Sequence, residues 1–147
     1  MTTRNYGREP EMVLVDTSAI IDYLREDDNE AALAFQYILE NNIPFGINSL
    51  IYQEVLQGVK TEKDFIKLKK YLETQKFYSL KDEKESYASA AKIYFRCRKK
   101  GITIGSTIDC LIAQTAIENN LFLLHNDSDF DRITEVAELK MFRIAAI

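Results

Sequence analysis

The stretch Met12-Val13-Leu14-Val15-Asp16-Thr17-Ser18 joins a buried strand to a helix. Its apolar run is too short and too β-branched for a helix, and Thr17-Ser18 opens a helical pattern that continues to about Arg25. The same alternation repeats along the chain. Asp28 or Asn29 caps a helix over Glu30–Glu40, Pro44-Phe45-Gly46-Ile47 is a short strand, and Ser49 caps the helix that carries Glu54. Thr61 caps a further helix to about Thr74, with Glu62 and Asp64 in the first turn, where the helix dipole favours them. Phe77–Leu80 reads as a third strand, Asp82 opens a long helix through Lys99 that Gly101 ends, and Ser106–Asn119 is the next helix. Leu121–His125 is a fourth strand, Asp127–Ile133 a short helical turn and Met141–Ile144 a final strand. Strands separated by helices connect by right-handed crossovers, so the fold class is α/β, with a mostly parallel sheet covered on both faces.

At 147 residues and 46% hydrophobic, the chain can bury the core of one ordinary domain without disulfides or structural metal. Cys97 and Cys110 fall in expected helices with no C-x-x-C spacing, which argues against a zinc site or a disulfide. With no signal peptide and no long apolar span, the expectation is a soluble, cytoplasmic protein without membrane association. The net charge of −4 argues against a broad electrostatic grip on nucleic acid. Local basic patches remain compatible with it, because an acidic pocket lowers the total by itself.

Four carboxylates stand in apolar surroundings. Asp16 ends the first strand, Glu54 lies within Leu50-Ile51-Tyr52-Gln53-Glu54-Val55-Leu56, and Asp109 interrupts Ile108-Asp109-Cys110-Leu111-Ile112-Ala113. Asp127 follows Leu121-Phe122-Leu123-Leu124-His125-Asn126. An ionised carboxylate facing a core is strongly disfavoured unless it is paired, hydrogen-bonded or holding a metal. The nearby basic side chain is His125 alone, so a hard divalent cation is the natural counter-ion, and all-oxygen ligands suit Mg²⁺ or Mn²⁺. In an open parallel sheet ligands bind beyond the carboxyl ends of the strands, where Asp16 and Asp127 both stand. Asp109 shares a helix face with Ile112, Ala113 and Ala116, which points it at the sheet and leaves room for an ion. Glu54 shares a face with Leu50, Ile51 and Gly58. Simpler readings exist: Asp16 as a helix N-cap, Asp127 or Asp129 as the cap of the last turn, Glu54 as a solvated helix residue. Asp109 is the hardest to explain structurally.

Several of these segments carry a family resemblance. Val15-Asp16-Thr17-Ser18-Ala19-Ile20-Ile21-Asp22, the Ser49-x4-Glu54 helix start, Gly101-Ile102-Thr103-Ile104-Gly105 followed by Ile108–Ala113, and Asn126-Asp127-Ser128-Asp129-Phe130-x2-Ile133 resemble the PIN-domain ribonucleases, specifically the VapC toxins of type II toxin–antitoxin systems. The match runs in order from about Met12, which implies a single PIN domain over residues 12–147 and leaves residues 1–11 as an N-terminal extension, native or added. The resemblance implies a PIN-like three-layer α/β/α sandwich and Mg²⁺- or Mn²⁺-dependent endoribonuclease activity. It also implies a homodimer neutralised by a VapB-like antitoxin. Catalytic carboxylates are implied at Asp16, Glu54, Asp109 and Asp127, with Asp129 as an additional acidic residue of the metal set. His125 departs from the pattern, since many relatives have threonine or serine there. A neutral imidazole acts as donor in its place, or His125 packs at the strand end.

Phosphodiester hydrolysis needs a nucleophilic water and neutralised phosphate oxygens, and divalent ions do both. On this reading Asp16 and Asp109 coordinate directly, Glu54 and Asp127 act through water or hold a second ion, and Thr17 supports a ligand oxygen. Arg96-Cys97-Arg98-Lys99-Lys100 and Lys67, Lys69 and Lys70 are the candidate phosphate contacts. Both groups also fit a blander role as helix-end or solvated cations. Of Phe35, Tyr37, Tyr52, Phe65, Tyr71 and Tyr94, those left outside the core are candidates for dimer or antitoxin surfaces. Two alternatives share the main features: a housekeeping PIN nuclease of RNA processing, and a receiver-like phospho-acceptor domain. The latter needs an acidic neighbour for Asp16 and a lysine after Leu124, and the sequence has neither.

Overall fold

The structure, a computed structural model, describes residues 12–144, so the expected extension over 1–11 lies outside the described residues. Its first half comprises β1 (Val13–Val15), α1 (Thr17–Leu24), α2 (Glu30–Glu40), β2 (Phe45–Ile47), α3 (Ser49–Gln57) and α4 (Glu62–Leu72). The second half comprises β3 (Lys76–Phe77), α5 (Glu85–Lys99), α6 (Thr107–Glu118), β4 (Phe122–Leu124), α7 (Ser128–Ile133) and β5 (Lys140–Met141). The five strands form one sheet in the order β3-β2-β1-β4-β5, and every pairing is parallel. Val13, Leu14 and Val15 are fully buried, which a central strand achieves only when helices cover both faces of its sheet. The helices pack in groups, α1 against α2 and α3, and α6 against α5 and α7. The expected three-layer α/β/α arrangement is the one observed. Among the described residues, no helix is long and apolar enough to cross a membrane.

Some boundaries differ from expectation. The third strand is Lys76–Phe77 rather than Phe77–Leu80, because this edge segment pairs only with Gly46 and Ile47 and then turns away, the Ser79 carbonyl accepting from Asn119 instead. The last strand is Lys140–Met141 rather than Met141–Ile144. Asn48, not Ser49, caps α3, its Oδ1 accepting from the Ile51 backbone N–H at 2.9 Å. Asp82 does accept from the Lys84 and Glu85 backbone N–H groups, but a turn intervenes and the helix proper begins at Glu85. Gly46 is dictated by sheet geometry, since a Cβ there would stand 2.7 Å from the Lys76 carbonyl oxygen.

The topology places Asp16. The chain runs outward from β1 to β2 and β3, then returns to β4 on the opposite side of β1. The order therefore reverses at the carboxyl end of β1, and the residue standing there is Asp16, whose N–H donates to the Leu124 carbonyl at 2.9 Å.

Candidate metal centre

Asp16 leaves β1 with extended backbone and caps α1. Its Oδ2 accepts from the Ser18 N–H at 3.0 Å and from the Ser18 hydroxyl at 2.6 Å, while Oδ1 takes neither bond. Capping and ligand roles are thus compatible in one side chain. Asp127 is built the same way at the end of β4: it caps α7, with Oδ1 accepting from the Asp129 N–H at 2.9 Å. Glu54 comes in from α3, its Oε1 accepting from the Thr17 hydroxyl at 2.8 Å, so Thr17 ties this helix to the start of α1. Asp109 occupies the first turn of α6, beside the fully buried Ile112, Ala113 and Ala116.

These segments converge. Asp109, Asp127 and Asp129 each present a carboxylate oxygen within 4.8 Å of the others. The charge of Asp16 bears on Asp109, and those of Glu54 and Asp127 bear on Asp16. Asp109 Oδ2 is buried and accepts no hydrogen bond among the described residues. Carboxylates cannot donate to one another unless one holds a proton, so this oxygen calls for either a proton or a cation. Burial first, then the charges of Asp127 and Asp16, pushes the Asp109 carboxyl up to about 8. Burial also raises Asp16, to about 6, against the lowering effect of the Ser18 hydrogen bonds. An all-oxygen pocket with an orphaned buried acceptor fits a hard divalent cation.

Asp129 differs from the others because both of its oxygens are engaged. Oδ2 accepts from the Gly105 N–H at 2.9 Å and Oδ1 from Arg132 Nη1 at 2.6 Å. The sequence reading named His125 as the nearby basic group and overlooked Arg132, one helical turn beyond Asp129. His125 itself packs on Phe130, with ring centroids 5.0 Å apart. Its Nδ1 accepts from the Asp127 N–H at 3.0 Å, and burial holds the imidazole pKa down, so it braces the acid loop as a neutral ring.

Asp22 was also missed. Buried on α1, its Oδ2 accepts from Asn29 Nδ2 at 2.9 Å and from Asn126 Nδ2 at 2.6 Å. The Asn126 backbone N–H donates to the Ser18 hydroxyl at 2.8 Å, and that hydroxyl donates to Asp16. Asp22 therefore locks the β4–α7 hinge, which carries Asp127, onto the helix that Asp16 caps. Asp22→Asn is expected to weaken Mn²⁺ binding about tenfold, as loss of a ligand-orienting partner does. Calorimetric titration checks this, and a lowered melting temperature with unchanged Mn²⁺ affinity would leave Asp22 a purely structural role.

Comparison with known proteins fits this geometry. The PIN domain family model matches residues 13–136, which include every acidic residue of the site. The chain belongs to the PIN-domain family. Within it the chain falls among the VapC ribonucleases. It is 31% identical over 130 residues to VapC ribonuclease Mb1587 of Mycobacterium bovis and, to the same extent, to ribonuclease VapC11 of Mycobacterium tuberculosis. Each alignment covers 88% of this chain and 96% of the relative. The PIN fold also matches the solved structure of VapBC2 from Rickettsia felis bound to a promoter DNA fragment. There the TM-score is 0.67 at 19% identity, covering 91% of this chain and 99% of that one.

Proposed function

We propose that this PIN domain, taken to run from residue 12 to 147, is a Mg²⁺- or Mn²⁺-dependent endoribonuclease that acts in the cytoplasm as a VapC-type toxin. The observation that carries the reading is Asp109 Oδ2, a buried acceptor without a partner at the meeting point of several carboxylates. When bound, a divalent cation supplies charge for the phosphate oxygens and acidifies water, which RNA hydrolysis requires. Asp109 and Asp16 would hold the ion directly, Asp109 through its unpartnered Oδ2 and Asp16 through Oδ1, which takes neither Ser18 bond. Asp127, whose oxygen reaches within 4.8 Å of Asp109, would be a further ligand, and Glu54 would orient water from the Thr17 side. Asp129, with both oxygens occupied, shapes the pocket and braces the loop.

The relatives' kinship supports an antitoxin partner of the VapB kind. Leu33 and Tyr37 on α2 and Phe65, Ile66 and Tyr71 on α4 are large apolar side chains left exposed, of the kind an amphipathic helix covers. A homodimer, in which two such domains act together, is part of the same reading.

Purified protein should cleave RNA with Mg²⁺ or Mn²⁺ and not in EDTA. Undiminished cleavage in excess chelator defeats the metal mechanism. Expression should arrest growth, and co-expression of an adjacent antitoxin gene should relieve the arrest. If the protein cleaves RNA yet leaves growth unaffected, a housekeeping PIN nuclease becomes the better description.

A further inference from the structure

Asp129 borders two spaces at once. It belongs to the acidic cluster, and it also lines a separate open cleft of about 540 Å³ between the Gly101–Gly105 loop and α7, where Arg132 and Glu135 line it as well. A polyanion approaching a ring of carboxylates is repelled unless cations lie beside them. One such cation, Arg132, lines this cleft. Arg132 makes a single hydrogen bond among the described residues, through Nη1 to Asp129, and its side chain is 44% exposed, so the rest of its planar donor fork is available. Lys100 adjoins the cleft, its Nζ donating to the backbone carbonyl of the lining residue Glu135 at 3.4 Å.

Arg98 lies over the Tyr94 ring and Lys99 over the Phe95 ring, whereas Lys100 reaches Glu135, a residue that lines the cleft. Two acids share the space. Asp129 is held in place by the Gly105 N–H and one arm of the Arg132 fork, and Glu135 is exposed, so its charge is screened by solvent. Gly101, with φ of 75°, has nothing within 4 Å of where a Cβ would stand, and the cleft is open there to an extended chain.

We propose that this cleft seats a backbone phosphate of single-stranded RNA neighbouring the bond that is cut, with Arg132 and Lys100 as its cationic contacts. The inference rests on the ribonuclease reading above. It adds a binding site that the acidic centre does not contain.

The test uses the full chain, a short fluorescein-labelled single-stranded RNA of mixed sequence, and EDTA to prevent cleavage. Lys100→Gln should weaken binding severalfold and reduce the dependence of log Kd on log salt by about 0.7, the loss of one phosphate contact. Because Arg132 also pairs with Asp129, its replacement could disturb the fold. Thr103→Glu avoids that difficulty, placing a new carboxylate on the exposed loop of the cleft, and should weaken binding about tenfold with an unchanged melting temperature. Lys63→Gln on α4, an equal change in net charge, serves as the control and should bind as the parent does. If Lys100→Gln and Thr103→Glu both bind within twofold of the parent while the parent still cleaves with Mn²⁺, the cleft proposal is overturned and the ribonuclease reading stands. A parent protein that neither binds nor cleaves RNA overturns both.

Discussion

Asp109→Asn is expected to abolish RNA cleavage while leaving the metal-free protein as stable as the parent or more so. The exchange is nearly isosteric and removes the charge that burial and the Asp127 and Asp16 carboxylates oppose. The new amide can donate to the oxygens of Asp127 and Asp129, which lie within 4.8 Å in the parent. Loss of a direct metal ligand forfeits several kcal/mol of transition-state stabilisation, so a fall of roughly a thousandfold or more is expected. Single-turnover cleavage with saturating Mn²⁺ measures the activity, and a thermal melt in EDTA measures the stability. A metal-free variant melting well below the parent would show Asp109 to be a structural, hydrogen-bonded aspartate and would remove the main support for the metal centre.

The parts of this arrangement that were legible in the sequence share one physical property: each is local. An apolar run ending in an acid marks a strand end, and Ile112, Ala113 and Ala116 disclose by spacing alone which way Asp109 points. Strand-then-helix alternation then gathers Asp16 and Asp127 beyond the carboxyl ends of two neighbouring strands, β1 and β4. What escaped depends on distant pairing. Asp22 reads as an ordinary polar helix residue, and only the return of β4 beside β1 brings Asn126, 104 positions away, to its carboxylate. Arg132 resembles any surface cation until Asp129, one helical turn before it, is known to be turned inward. Asn48 and Ser49 are both good caps, and the choice between them is made by where β2 stops. The candidate ligands were thus visible one by one, whereas the groups that hold them in place appear only once the chain is folded.

In the absence of metal, the stability gap between the parent and Asp109→Asn is expected to widen as pH rises from about 4 to about 8, and divalent metal is expected to close it. Folded Asp109 titrates at about 8, far above the value near 4 of an unfolded aspartate. The folded chain therefore keeps this proton when the unfolded chain has released it. Its stabilising effect is complete below about pH 4 and is lost as pH climbs to about 8, by at most about 1.4 kcal/mol per pH unit. Asp16, raised to about 6, adds a second loss in the lower part of that window. His125, kept neutral by burial, acts in the opposite sense at acid pH, and all groups other than Asp109 cancel to first order in the difference between the two proteins. Metal must displace the proton to bind, so stabilisation by Mn²⁺ should grow across the same range in the parent and be much smaller in the variant. Melting curves of both proteins at several pH values, in EDTA and in Mn²⁺, provide the comparison. Parallel curves at every pH, with Mn²⁺ raising both melting temperatures equally, would mean that Asp109 neither holds a shifted proton nor takes part in binding the ion.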